Sequence, residues 1–185
     1  MLILASASPR RADLLRAADI PFVVETADVD ETPRENKPPE AYVLRVARDK
    51  AFTVDRRKPG NLILAADTTV VVCGQILGKP ASDDEAKTML KSLSGRVHDV
   101  LTGVVIREAA REWAAVVKTE VRFLPLTDSE INWYIASGEP RDKAGAYAIQ
   151  GRASRFIDRI DGSYSNVVGL PVATVCDLLR QAGRL

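Results

Sequence analysis

Residues 62–72 read Leu62-Ile63-Leu64-Ala65-Ala66-Asp67-Thr68-Thr69-Val70-Val71-Val72. Branched aliphatic residues dominate the run, and no apolar–polar alternation marks a wet face, so it reads as a strand buried on both sides. Pro59-Gly60-Asn61 punctuates it in front, and Gly74-Gln75 can turn it back into a short strand at 76–77. Working toward the N-terminus, residues 40–57 form a helix with Val43, Leu44, Ala47, Ala51 and Val54 on its apolar face. Residues 29–39 are polar and proline-rich, a loop. Residues 22–26 and 2–5 are short strands, and Ser8-Pro9 caps and starts a helix running to about Ile20.

Toward the C-terminus, Ser82 and Glu85 make a capping box for a helix to Leu93, stopped by Gly95. Two β-rich runs, 97–107 and 113–124, pair through a charged turn. Thr127 and Glu130 cap a helix to Ser137, ended by Gly138. Residues 155–160 and 164–168 flank Asp161-Gly162, a hairpin signal. Gly169-Leu170-Pro171 opens a last amphipathic helix ending at Gly183. Helices and strands alternate first and strands then cluster, so the class is α/β, with a mixed, twisted sheet and flanking helices. No repeat or linker interrupts residues 1–185, and a boundary between two lobes is not visible.

Composition narrows the function. The chain has 185 residues, 46% of them hydrophobic, enough for one core-bearing domain. Lys+Arg is 26 against 25 Asp+Glu, a net charge of +1. There is no global field to attract nucleic acid, so any anion must be met by local placement. Cys73 and Cys176 have no metal-ligand spacing and sit in apolar stretches, which reads as two buried thiols in a reducing compartment. The N-terminus is apolar too briefly for a signal peptide, and no stretch reaches the about 20 apolar residues of a membrane span. The expected compartment is the cytoplasm.

Six segments carry candidate chemistry. In Ser6-Ala7-Ser8-Pro9-Arg10-Arg11 two arginines occupy a helix's first turn, where the dipole disfavours cations unless an anion sits there. Asp67, beside Thr68 and Thr69 in the most apolar strand, must be paired, metal-bound or at a cleft, which suits a base or metal ligand. Lys79, in Gly78-Lys79-Pro80, projects a point charge from a stiff turn. Asp30-Glu31 offers carboxylates of the kind that share Mg²⁺ with phosphate and water. Lys50 falls near the apolar stripe of its helix, where snorkelling to solvent is the ordinary outcome. In residues 143–151, small residues and glycines surround Gln150, an amide able to read a neutral base edge. His98, the single histidine, lacks a nucleophile or ligand partner in sequence and reads as structural. The inventory of cations and carboxylates, without Ser-His-Asp or Cys-His pairing, fits a polyphosphate substrate, a divalent metal and a positioned water.

These segments together resemble the Maf family of nucleoside triphosphate pyrophosphatases: SASPRR, VDET, LRVARDKA, AADT, GKP, LSGRVHDVLTGV, KAGAYAIQG and GSYSNVVGLP occur in the family's order across nearly the whole chain. The resemblance implies a single Maf/ITPase-like domain over 1–185 with two lobes around a central cleft. It also implies hydrolysis of a nucleoside triphosphate to monophosphate and pyrophosphate with Mg²⁺ or Mn²⁺. Asp67 would then be the proton acceptor. Ser6, Arg10, Arg11, Lys50 and Lys79 would be phosphate contacts, and Glu31 would hold metal or substrate, with Asp67 sharing the metal. Asp67-Thr68 and Gln150-Gly151 match the branch acting on dTTP and UTP, with a role in clearing non-standard nucleotides from the pool. The branch for 7-methyl-GTP carries a glutamate at the position of Gln150, which suits a cationic base, whereas neutral Gln150 suits a pyrimidine edge. A homodimer is compatible with this resemblance. The alternative it leaves is a non-catalytic nucleotide-binding regulator of cell division or septum formation. As phosphate contacts, Arg11 and Lys79 are expected to matter for the substrate and little for folding.

Overall fold

The computed structural model describes residues 1–34 and 37–185; the loop expected over 29–39 includes Glu35 and Asn36, which lie outside the described residues. Seven strands and six α-helices follow in the order β1 (Leu2–Leu4), α1 (Pro9–Ala17), β2 (Val23–Val24), α2 (Pro39–Arg57), β3 (Leu62–Val72), β4 (Gln75–Leu77), α3 (Asp83–Leu93), β5 (Val97–Glu108), β6 (Arg111–Phe123), α4 (Asp128–Ala136), β7 (Ile157–Asp161), α5 (Tyr164–Val168) and α6 (Val172–Gln181) among the described residues. Hydrogen bonding orders the strands β2-β1-β3-β5-β6-β7, with β4 paired to β3. β1 runs parallel to both β2 and β3, while the β3–β4 and β6–β7 pairs are antiparallel, so the sheet is mixed as its sequence predicts. The chain divides into two compact units, Met1–Thr68 with Thr102–Val117 and Gly169–Leu185, and Thr69–Leu101 with Lys118–Val168.

The first unit explains why residues 62–66 carry no polar alternation. Side chains of a strand point alternately to opposite faces. Leu2, Leu4, Leu62, Leu64, Ala66, Val104 and Ile106 gather with Leu15 of α1 and Val175 and Leu178 of α6. Ile3, Ala5, Ile63, Ala65 and Val105 gather with Ala47, Ala51 and Val54 of α2. Both faces are covered, and Leu4 and Leu64 are fully buried; each such side chain contributes about 1.5–3 kcal/mol by leaving water. Helix α2 lies close on β5 at Gly103, where an added Cβ would stand 2.6 Å from the Val43 carbonyl carbon and oxygen.

The second unit packs α3 and α4 with the far end of β3 and with β5, β6 and β7 around Leu90, Leu93, Phe123, Tyr134 and Phe156. His98 is buried here, its ring edge-on to Phe123 at 5.1 Å and to Tyr147 at 5.4 Å, and its Nε2 shares a 2.8 Å hydrogen bond with the Tyr147 hydroxyl. The capping box of Thr127 and Glu130 forms reciprocally.

Four local expectations change. Ser8 precedes α1 without a side-chain cap; its N–H instead donates to Ser6 Oγ. The strand at 22–26 contracts to Val23–Val24. Residues 164–168 are helix rather than the second arm of a hairpin, because Ser163 Oγ accepts the Asn166 N–H in the manner of a cap and the Asn166 amide donates to the Val100 carbonyl and Thr119 Oγ1. β7 pairs with β6 instead. Cys73 is exposed, not buried, since it sits in the β3–β4 turn with φ at +50°; Cys176 is half-buried.

Candidate active site

Strand alternation decides where the polar end of β3 points. Ile63 and Ala65 face α2, and Asp67 continues that row; Leu64 and Ala66 face α1 and α6, and Thr68 continues the other. Asp67 is 6% exposed and Lys50 8% exposed, and Lys50 Nζ donates to Asp67 Oδ1 at 2.8 Å. The same ammonium stands 2.6 Å from Glu31 Oε1. Lys50 therefore turns inward within the stripe Val43, Val46, Ala47, Lys50, Ala51 and Val54, and the snorkelling expected of it does not occur. An isolated buried carboxylate is costly, and the paired ammonium offsets that cost. Burial pushes the Asp67 carboxyl above the ordinary carboxylate range; Lys50 and Arg11 work against that rise and Glu31 adds to it.

Glu31 is held on Lys50 by the helix that carries Lys50. Three successive carbonyls of the acidic loop accept from α2: Asp30 from Arg45 Nη1 at 3.0 Å, Glu31 from the Tyr42 hydroxyl at 2.9 Å, and Thr32 from Arg45 Nη2 at 2.8 Å. The Asp30 carboxylate closes the turn by accepting the Thr32 N–H at 2.9 Å. Arg45 is anchored in turn by Asp49 at 3.1 Å. Burial, with Asp67 and Glu31 nearby, raises the Tyr42 phenol to about 12, so it remains a donor.

On the other face of β3, Arg11 is a buried tie. Its Nε donates to the Gly169 carbonyl at 2.8 Å, Nη1 to Ser6 Oγ at 3.1 Å and Nη2 to Thr68 Oγ1 at 3.1 Å. Thr68 Oγ1 also bonds Thr102 Oγ1 at 2.9 Å and the Gly169 carbonyl at 3.2 Å. Burial lowers the Arg11 pKa, while Asp67 and Glu31 support its charge. Ser6 is buried just beyond the end of β1, and Arg10 lies half-buried beside Arg11 in the first turn of α1. Glu31, Lys50 and Asp67 thus meet on one face of β3 and Ser6, Arg11 and Thr68 on the other, all within the first unit.

Lys79 and Gln150 belong to the second unit, and both are exposed. Their segments are joined there, since the Gly145 N–H donates to the Gly78 carbonyl at 3.0 Å. Gly145 has φ +68°, and an added Cβ would meet Val70 at 2.8 Å, which accounts for the glycine in residues 143–151. Sequence reasoning missed Tyr42, Arg45, Thr102 and Gly169. Their contributions come from backbone carbonyls and contacts distant in the chain, which no periodicity encodes. Gly103 did carry a signal, a lone glycine in a β-branched strand where another backbone approaches closely.

Chemically, Asp67 can accept a proton while the adjacent ammonium stabilises the ionised carboxylate. Among the described residues no group of three or more His, Cys, Asp or Glu gathers as a metal cluster. Glu31 and Asp67 share one ammonium, Lys50 Nζ, at 2.6 and 2.8 Å, which sets two carboxylate oxygens close to a single cation. Among the described residues no helix is long and apolar enough to cross a membrane.

The Maf-like protein family model matches residues 1–182. The chain is 52% identical over 183 residues to a dTTP/UTP pyrophosphatase of Myxococcus xanthus, covering 99% of this chain and 93% of that one. It is 52% identical over 182 residues to the protein of that name from Symbiobacterium thermophilum, covering 98% and 94%. It is 49% identical over 186 residues to that of Geobacter metallireducens, covering 100% and 97%.

Proposed function

Because the chain belongs to the Maf family, we propose that it is a nucleoside triphosphate pyrophosphatase that hydrolyses dTTP and UTP to the monophosphate and pyrophosphate. The observation that carries this reading is the buried Asp67 carboxylate, bonded at 2.8 Å to an ammonium that also meets Glu31 at 2.6 Å. Asp67 takes the proton of the attacking water. The water oxygen bonds to phosphorus at the α–β anhydride, the bridging P–O bond breaks, and pyrophosphate and monophosphate separate. Lys50 keeps Asp67 ionised until that proton arrives and offers charge to the phosphates. Glu31 and Asp67 would hold Mg²⁺ or Mn²⁺, which neutralises phosphate charge when bound. Arg11 fixes Ser6 and Thr68, and Arg10 stands at the start of α1 as a phosphate contact. Lys79 supplies a further cation, and Gln150 reads the pyrimidine edge.

The reducing cytoplasm suits a nucleotide-pool enzyme with two free cysteines, one of them exposed. The reading needs a nucleotide and a metal, and neither nucleic acid nor a membrane. The non-catalytic regulator is not favoured, because relatives about half identical over nearly the full chain are named as pyrophosphatases. The deciding experiment is pyrophosphate release from a panel of nucleoside triphosphates with Mg²⁺ or Mn²⁺. Release from dTTP and UTP well above ATP and GTP is expected. Equal rates across the panel would sink the substrate assignment, and no release from any nucleotide would sink the activity.

A further inference from the structure

Gln150 is exposed, yet an amide that discriminates base edges must be held within roughly half an ångström of one position. The loop around it has little regular structure to supply that precision. Residues 147–151 lie between a single 3₁₀ turn at Ala144–Ala146 and another at Arg152–Phe156. The Gly151 N–H donates to the Ala148 carbonyl at 3.1 Å and closes a turn around Gln150, and a pair of side chains from α4 and the turn after it ties both ends of that turn to the rest of the unit. The Tyr134 hydroxyl accepts the Ala148 N–H at 3.3 Å and donates to Glu139 Oε1 at 3.0 Å. Glu139 Oε2 accepts the Arg152 N–H at 3.0 Å. The two backbone donors fall two residues before and two residues after Gln150, so the pair grips the loop symmetrically.

The grip has a rigid base. Tyr134 is fully buried on α4, its ring edge-on to Phe156 at 5.5 Å. Glu139 follows Gly138, which ends the helix at φ +72°, and its own N–H donates to Ser137 Oγ at 3.2 Å. Glu139 also explains Gly151. A Cβ at Gly151 would stand 2.1 Å from Glu139 Oε1 and 2.6 Å from Oε2, so a side chain at residue 151 would have to displace the Glu139 carboxylate from the position in which it grips the loop.

We infer that Glu139, supported by Tyr134, is a positioning residue for substrate specificity: it fixes residues 148–152 so that Gln150 presents its amide to a pyrimidine edge. This rests on the reading of Gln150 as the base-recognition residue. Glu139 touches no reacting atom, and its loss should act on discrimination rather than on the chemical step.

The test is kcat and KM for dTTP, UTP, ATP and GTP in the wild type, Glu139→Ala, Glu139→Gln, Tyr134→Phe, Gln150→Ala and the Glu139→Ala/Gln150→Ala double variant. Amide hydrogen exchange over residues 148–152 is measured alongside. Glu139→Ala should lower kcat/KM for dTTP and UTP about tenfold, mainly through KM, with purine triphosphates changed less than about twofold. Glu139→Gln keeps one acceptor for the Arg152 N–H and should recover most of the loss. Tyr134→Phe keeps the buried ring, so it stays informative if Glu139→Ala folds poorly, and it should shift selectivity the same way. Exchange over 148–152 should rise in both. On the Gln150→Ala background, Glu139→Ala should add less than about twofold, because it acts through the residue already removed.

An equal loss on all four nucleotides, or a full additional factor in the double variant, would overturn the inference and leave Glu139 merely structural. If Gln150→Ala collapses discrimination while Glu139→Ala and Tyr134→Phe do not, the positioning role alone fails. If Gln150→Ala leaves discrimination intact, the reading of Gln150 fails and the positioning role falls with it.

Discussion

Asp67, the proposed proton acceptor, weighs against the fold that holds it. Burial raises its pKa above the unfolded value, so the folded chain binds the extra proton more readily. The sign follows directly: stability on this account is greatest below the ordinary carboxylate pKa and declines as pH rises through the raised one. At neutral pH the ionised Asp67 is therefore a cost. Asp67→Asn should melt at or above the wild-type temperature at pH 7, with the gap closing toward pH 4, while hydrolysis falls about 10²–10⁴-fold. Calorimetry and pyrophosphate release on one sample check both. The acid limb of kcat/KM should likewise lie above the ordinary carboxylate range. Arg11 behaves differently from its sequence expectation. Three of its N–H groups already donate to Gly169, Ser6 and Thr68, so its loss is a folding matter as well as a substrate one. Arg11→Lys cannot reproduce the fork and should cost about 2–4 kcal/mol in chemical denaturation; Lys79→Ala, at an exposed turn, should cost little. Asp67 was legible because a carboxylate in an apolar strand demands an explanation. Lys50 was only half legible, since the periodicity that places a lysine on a buried stripe does not say whether its ammonium turns in or out.

At the scale of the element, α2 is the organising piece. It covers one face of β1, β3 and β5, supplies Lys50, and holds the Glu31 loop by its carbonyls. Its seat on β5 depends on Gly103, whose missing side chain lets the Val43–Leu44 backbone approach. Gly103→Ala must push α2 away from the sheet. Overpacking of this kind costs about 1–3 kcal/mol, and because the helix carries Lys50 and the Glu31 clamp, activity should fall further than the melting temperature suggests. Comparing kcat/KM at a temperature where both proteins are fully folded separates the two effects; unchanged kcat/KM would show that α2 can shift without disturbing the site. The long helices and strands were legible from caps, periodicity and apolar runs. Residues 164–168 were not. Their alternation suits a strand as well as a short helix, and Asn166 reaching Val100 and Thr119, a contact distant in the chain, decides between them.

Across the molecule, the two units respond to acid through different groups. In the second unit His98 is buried, and burial lowers its pKa from 6.5 to about 4. Among the described residues its Nδ1 has no hydrogen-bond partner, which favours the neutral ring. A lowered histidine pKa means that the unfolded chain binds the proton first. The associated stability is fully present above about pH 6.5 and is lost as pH falls toward about 4, on the order of 3 kcal/mol in all. His98→Gln, which can still meet the Tyr147 hydroxyl, should flatten the decline in melting temperature between pH 6.5 and 4. An unchanged slope would show that carboxylates alone govern acid unfolding.

The ammonium between Glu31 and Asp67 has a consequence for the order of events in the life of the chain. Many metal-dependent proteins cannot settle until the ion arrives, because their ligands repel one another without it. Here a tether of four methylenes delivers a counter-ion with the polypeptide itself. On the proposed metal-dependent reading, the newly made chain can mature in a metal-starved cell and wait, folded and silent, for nucleotide and ion to arrive together. Exhaustive chelation should accordingly stop turnover, leave the melting temperature within about 2 °C of its original value, and be reversed on adding Mg²⁺ with no refolding step.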